Sequence, residues 1–511
     1  YAGSTTELRG LVPDGSFTGG IRVENSNPLP RGLPFATEPP SFPSNWLPFD
    51  VSLDQGDVAK VLFGGTGYDY SIETVGADDY LLILFNSVAL FDDEYIHNYR
   101  VSLDAATGLA AEAPDEGYDG RKDESGEEAS SALTPYTGFE IKVWRELEEH
   151  LRGMPAPSGD RLDTGGTRPV IFGPGEAPQT AEFDVYTDIE GSVLDPASFT
   201  VVTADLKYEG SHTLLYVDER TSPTVLSDAE AQEIGQVFDA SIYDIDRNAF
   251  GSESDINGDG KVAILMTEEV NNLPEEPGSI ILGFFLPNDL LPNYVSAGVT
   301  NGMEIFYTMI PDPAIGGTDW KERSIESIKS TLAHEFQHMI MFNYRILIYG
   351  SGYLATYMEE LWINEALSHI AEDLNGYDAD NIARANLFLD NTGNTKLTFL
   401  TDDDLANRGS VYLFLRYLGD RFGDSIFEKL VQSRNVGIEN IEAATGESIL
   451  ELFADWSATL YLSGRGITSD PRFNYSSIDL QGDFDPLYYI ENTMSIPELN
   501  GTMKPMGPDY I

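Results

Sequence analysis

The sequence predicts a multidomain chain in which an N-terminal all-β module precedes an α+β domain whose C-terminal part is mostly helical. Three observations carry this reading. With 511 residues, 41% of them hydrophobic, the chain is long enough for roughly two to four cores. Between residues 50 and 105, short alternating or apolar runs are separated by Gly and Asp turns, the pattern of a sandwich-like β module. Downstream, strand-like runs give way after Ser324 to apolar residues at three- and four-residue spacing, and strands followed by helices imply an α+β domain.

Residues 1–50 are rich in Pro, Gly and Ser, with Pro39-Pro40 and an apolar Trp46-Leu47-Pro48-Phe49, and read as an irregular lead-in. Residues 51–137 form the β module, with strands expected at 59–63, 80–85 and 99–103 and an acidic loop at 115–132. Residues 138–180 comprise a connecting helix carrying Ile141, Val143, Trp144, Leu147 and Leu151, then a linker opened by Met154-Pro155-Ala156-Pro157. The last domain spans 181–511. Strands are expected at 199–204, 213–217, 261–266 and 303–310, and a helix over 227–245 with Ser227 as N-cap. Further helices are expected at 357–374, 410–422 and 449–463. No internal repeat of fixed period is present.

The net charge is −55, from 85 acidic and 30 basic residues, which excludes nucleic acid and anionic membrane surfaces as partners. Lysine is scarce, and a solvated acidic surface of this kind suits saline surroundings or calcium loading. Without cysteine, no disulfide staples the fold and no thiolate can bind a metal. No apolar run approaches the roughly 18 residues of a membrane span, so no membrane insertion is expected. The chain begins at Tyr1 without a methionine, which suggests a mature or trimmed protein whose signal peptide, if any, is gone, and the lack of cysteine is compatible with secretion by a bacterium.

His334-Glu335-Phe336-Gln337-His338 is the most informative stretch. Two histidines four apart share one helix face and can bind one zinc ion, and Glu335 can take a proton from water beside it. Glu365, in Ile363-Asn364-Glu365-Ala366-Leu367-Ser368, offers the third ligand, with Glu359, Glu360 and His369 as rivals. The extended metzincin signature is absent, since Met341 and Tyr344 stand where its glycine and third histidine belong. A second site is suggested by Asp255, Asn257, Asp259 and Lys261, which alternate as in a calcium loop. Met266 replaces its last glutamate, so a distant carboxylate such as Glu253 would have to complete it, and a plain turn is the other reading.

These segments resemble the gluzincins, the thermolysin-like clan of zinc peptidases. Leu215-Tyr216-Val217-Asp218, Asp255-Ile256-Asn257-Gly258-Asp259, Glu304-Ile305-Phe306-Tyr307 and the two metal segments follow in the order seen in hyicolysin-like neutral metallopeptidases, over roughly residues 195–480. The resemblance implies a secreted endopeptidase of a gluzincin-type domain, acting on protein or peptide substrates. It implies zinc on His334, His338 and Glu365, Glu335 as general base, and a tyrosine, Tyr412 or Tyr357, as oxyanion donor. It also implies an edge strand at residues 303–310 that pairs with the substrate backbone. One departure concerns the aspartate that the clan places four residues after the ligand glutamate to orient a histidine. Here His369 stands there, with Glu372 and Asp373 one turn on. Two alternatives stay open. Gly302-Met303-Glu304 is similar to the amine-binding run of zinc aminopeptidases, with Ile305 in place of its asparagine, and a binding protein with structural zinc is the other.

Overall fold

The computed structural model describes residues 138–154, 175 and 177–484 with breaks at 274–278, 351–352 and 399–403. It also describes strands at 5–11, 18–25, 58–64, 67–73, 81–86, 97–105, 134–135, 498–503 and 508–510. The expected loop at 115–132 and the opening of the expected linker lie outside the described residues, Met154 excepted.

The N-terminal strands and the two C-terminal ones form two four-stranded sheets, every pairing in them antiparallel. Two expectations change here. Strands Thr5–Leu11 and Thr18–Asn25 fall inside the supposed irregular lead-in. Glu498–Met503 and Pro508–Tyr510, assigned by sequence to the last domain, pair with the N-terminal strands His97–Ala105 and Leu81–Asn86.

The α+β part is built on a six-stranded mixed sheet. From one edge to the other run Thr180–Tyr186, Phe199–Glu209, Thr213–Asp218, Val262–Met266, Ile305–Thr308 and Gly283–Phe285. The three strands Thr213–Asp218, Val262–Met266 and Ile305–Thr308 are mutually parallel and buried at every residue, which is why each reads as a continuous apolar run rather than an alternation. Helix Asp228–Val237 starts where predicted. Ser227 accepts from the Glu230 N–H while the Glu230 carboxylate accepts from the Ser227 N–H, a reciprocal cap. The supposed connecting helix, Gly138–Arg152, packs on this part of the chain: Phe139 lies 4.9 Å from Phe284 and Trp144 lies edge-on to His338 at 5.8 Å between ring centres.

The turn after the short edge strand is held by a buried carboxylate. Asp289 accepts from the Tyr307 hydroxyl at 2.6 Å and from the Asn301 N–H, with no basic residue against it in these contacts. Burial pushes its carboxyl up to about 7 despite those hydrogen bonds. Because the folded state raises this pKa above its ordinary value, the stability it contributes is complete at low pH and is lost as pH rises through about 7. Asp289→Asn should therefore flatten the fall in thermal midpoint between about pH 4 and 7, the ordinary and the raised pKa of this carboxyl. A melting series over that range checks it.

Candidate metal centre

Helix Pro313–Phe342 carries the two histidines. Asp312 caps it by accepting from the Ala314 N–H at 2.8 Å, and Pro313 suits its first turn, where no amide donor is needed. Its apolar face, Ile328, Leu332, Phe336, Met339 and Ile340, is almost wholly buried. Phe336, between the histidines in sequence, packs on Phe238, Tyr243 and Phe306, and burying such a ring stabilises by roughly 1.5–3 kcal/mol. The opposite side is thereby left to His334 and His338. A wider helical turn over Asn343–Ile348 ends the run and buries Arg345, which pairs with Glu359 at 2.6 Å. The chain then enters helix Leu361–Leu374, which carries Glu365.

His334, His338 and Glu365 converge. The His334 Nε2 lies 3.5 Å from Glu365 Oε2, and the His338 Nε2 lies 3.6 Å from Glu365 Oε1. Ligands about 2.0–2.2 Å from one tetrahedral ion stand about 3.3–3.6 Å apart, so these separations fit a shared metal. The His334 Nε2 and both Glu365 oxygens are buried without a hydrogen-bond partner, an expensive arrangement for a pocket that binds nothing. The residues fit a zinc ion. A second cluster, His334, His369 and Glu372, also falls within metal-binding reach. There, however, His334 Nδ1 is 2.6 Å from Glu372 Oε1, a hydrogen-bond distance too short for two ligands of one ion. The rival ligands are engaged elsewhere: Glu359 with Arg345, and Glu360 with the Trp362 indole N–H at 2.6 Å.

Glu372 answers the departure noted in the sequence. It accepts from His334 Nδ1 and thereby turns Nε2 towards Glu365, while His369 Nδ1 (3.2 Å) and Arg384 Nη1 (3.1 Å) approach the same carboxylate. His338 Nδ1 lies 3.2 Å from Asn364 Oδ1 and 3.1 Å from Ser368 Oγ. Burial opposes charge throughout. It lowers His338 and His369 to about 3, whereas Glu365 and Glu372 outweigh it at His334 and hold that imidazole above its ordinary range. Glu365 and Glu372 stay well below the usual carboxylate range, because Arg408 and the histidines outweigh burial at the first, and Arg384 and the histidines at the second. Glu372→Gln should weaken zinc binding by about 10–100-fold, measured by competition with a chromogenic chelator.

Glu335 is nearly buried, and its Oε2 accepts from the Phe285 N–H at 2.8 Å. This contact corrects the expected edge strand. Residues 305–308 lie inside the sheet, and the edge beside Glu335 is Gly283–Phe285. Since the Phe285 N–H points outward, Gly283, two residues before it, also turns its backbone groups outward, while Phe284 faces the paired strand. Gly283 is held to glycine by packing, since a Cβ there would lie 2.7 Å from the Tyr307 carbonyl oxygen.

Other sequence-predicted residues lie apart from this cluster. Tyr412 is fully buried and donates to Asp373 at 3.4 Å, beside Arg416, so its assignment as oxyanion donor has no geometric support. The Tyr357 carbonyl accepts from Arg345. Glu304 is fully buried, accepts from Ser254 Oγ and the Ile256 N–H, and is pushed up to about 7 by burial, so it anchors a loop rather than facing the centre. In that loop Asp255 accepts from the Gly260 N–H, Asn257 from Asp259 and Asp259 from Lys261. Glu253 pairs with Tyr243 and Arg247. These hydrogen bonds are those of a plain turn, while Asp259 Oδ2 and Glu253 Oε2 are buried without a hydrogen-bond partner. Sequence reasoning missed Arg408, whose Nη1 lies 2.9 Å from Glu365 Oε2, and Arg384.

No family model matches the chain. Over 275 residues it is 30% identical to the neutral metalloprotease ShpI of Staphylococcus hyicus, a stretch covering 49% of this chain and 57% of that protein. The chain thus spans less than two thirds of that relative's length. The similarity supports a metalloprotease family, and the buried His/Glu cluster is compatible with the metal such a protein needs.

Proposed function

We propose that this chain is a secreted, zinc-dependent endopeptidase, with zinc held by His334, His338 and Glu365 and with Glu335 as general base. The observation that carries the reading is the convergence of two imidazole Nε2 atoms on one buried carboxylate, with Glu335 fixed beside them by the Phe285 N–H. When bound, zinc supplies Lewis acidity, polarising the scissile carbonyl and lowering the pKa of a water towards neutrality. Glu335 would accept a proton from the water that attacks the peptide carbonyl and return it to the leaving amine nitrogen. The outward backbone groups of Gly283 and the Phe285 carbonyl pair with an extended substrate backbone and hold its carbonyl in register with Glu335, which the Phe285 N–H fixes. An open edge that takes main chain on both sides of a bond suits internal cleavage. The aminopeptidase alternative has lost its residue, because Glu304 is buried against Ser254 and Ile256.

Among the described residues no helix is long and apolar enough to cross a membrane. The test is hydrolysis of N-terminally acetylated, internally quenched peptides. Cleavage that a zinc chelator stops and added zinc restores is expected. Release of residues only from free amino termini would move the assignment to an aminopeptidase.

A further inference from the structure

Two carboxylates on helix Leu361–Leu374 serve the centre, Glu365 directly and Glu372 through His334, and each is met by an arginine from a different helix. Arg408, on helix Leu405–Phe422, approaches Glu365 at 2.9 Å. It sits there as a close ion pair rather than an aligned hydrogen bond, since both Glu365 oxygens lack a hydrogen-bond donor. Arg384, on helix Ala379–Leu389, approaches Glu372 at 3.1 Å and is itself steadied by Asn381 Oδ1 at 2.8 Å.

The two arginine-bearing helices touch at Gly409, next to Arg408 in sequence. A Cβ at Gly409 would lie 2.1 Å from the Arg384 carbonyl oxygen and 2.6 Å from the Ala385 nitrogen. Only a glycine lets the backbones meet there, and the residues flanking that contact are the two arginines.

We infer that this helix pair is a buttress for the metal centre: the Gly409 contact sets Arg384 and Arg408 together against Glu372 and Glu365. Arg384, Arg408 and Gly409 are then positioning residues that act on a metal none of them touches. The guanidinium is planar and rigid, so it fixes a carboxylate's orientation where a lysine would supply charge alone. The inference rests on the zinc reading proposed above.

Zinc affinity, measured by chelator competition at fixed pH and salt with circular dichroism on the same samples, tests it. Arg384→Gln and Arg408→Gln should each weaken zinc binding about 10–100-fold. Arg384→Lys and Arg408→Lys should lie between those variants and the wild type, and Gly409→Ala should weaken binding by driving the helices apart. Leu387→Ala, at a position on the Arg384 helix that is 48% exposed, should change nothing. Folded glutamine and lysine variants with wild-type affinity would overturn the inference. If the glutamine variants do not fold, the lysine variants decide it alone. A folded wild type that binds no zinc would overturn the zinc reading itself, and this inference with it.

Discussion

Glu335→Gln should remove peptide hydrolysis almost completely while leaving zinc content and fold unchanged. The amide has nearly the shape of the carboxylate and keeps an oxygen to accept from the Phe285 N–H, so the edge strand stays in place. It cannot take a proton from water. General-base catalysis contributes about 10²–10⁴-fold, and a loss of that size in kcat with little change in KM is expected. Metal analysis beside the kinetics separates this outcome from a failure to load. An active Glu335→Gln enzyme would remove Glu335 from the chemistry.

Glu365→Gln should have the larger effect on the metal. It takes away the anionic ligand and the carboxylate charge that Arg408, whose side chain is only 6% exposed, meets at 2.9 Å. Zinc affinity should fall by more than the roughly 10–100-fold expected for Glu372→Gln, which only orients a ligand. The metal-free protein should also lose stability, by up to about 3–5 kcal/mol, the range for breaking a buried ion pair. Chelator competition and chemical denaturation measure the two effects. Unchanged zinc binding would point to Glu359 or Glu360 as the third ligand, against their contacts with Arg345 and Trp362.

The metal cluster was legible because it rests on local periodicity. Two histidines four apart on a helix must share a face, and an NExxS segment within an apolar run places its glutamate on a buried one. Glu372 was visible only as one of two adjacent acids, since a helix turn fixes spacing but not which carboxylate reaches His334. The arginines were not legible. Arg384 and Arg408 reach the centre from separate helices, and no local pattern records a contact set by the packing of Gly409.

The edge strand was misplaced for a related reason. The apolar run 303–310 holds the wholly buried strand Ile305–Thr308, and such strands belong in a sheet interior, while the true edge is three residues that begin with glycine. The C-terminal strands Glu498–Met503 and Pro508–Tyr510 were missed because their partners lie hundreds of residues earlier. Tyr412 had only its place on a helix to recommend it, and burial beside Asp373 gives it a packing role.

Anomalous diffraction at the zinc absorption edge, from crystals of the zinc-loaded protein, tests the central claim most directly. The account predicts one strong peak within about 2.0–2.2 Å of His334 Nε2, His338 Nε2 and one Glu365 oxygen. A peak on His369 and Glu372, or none near His334, would contradict it.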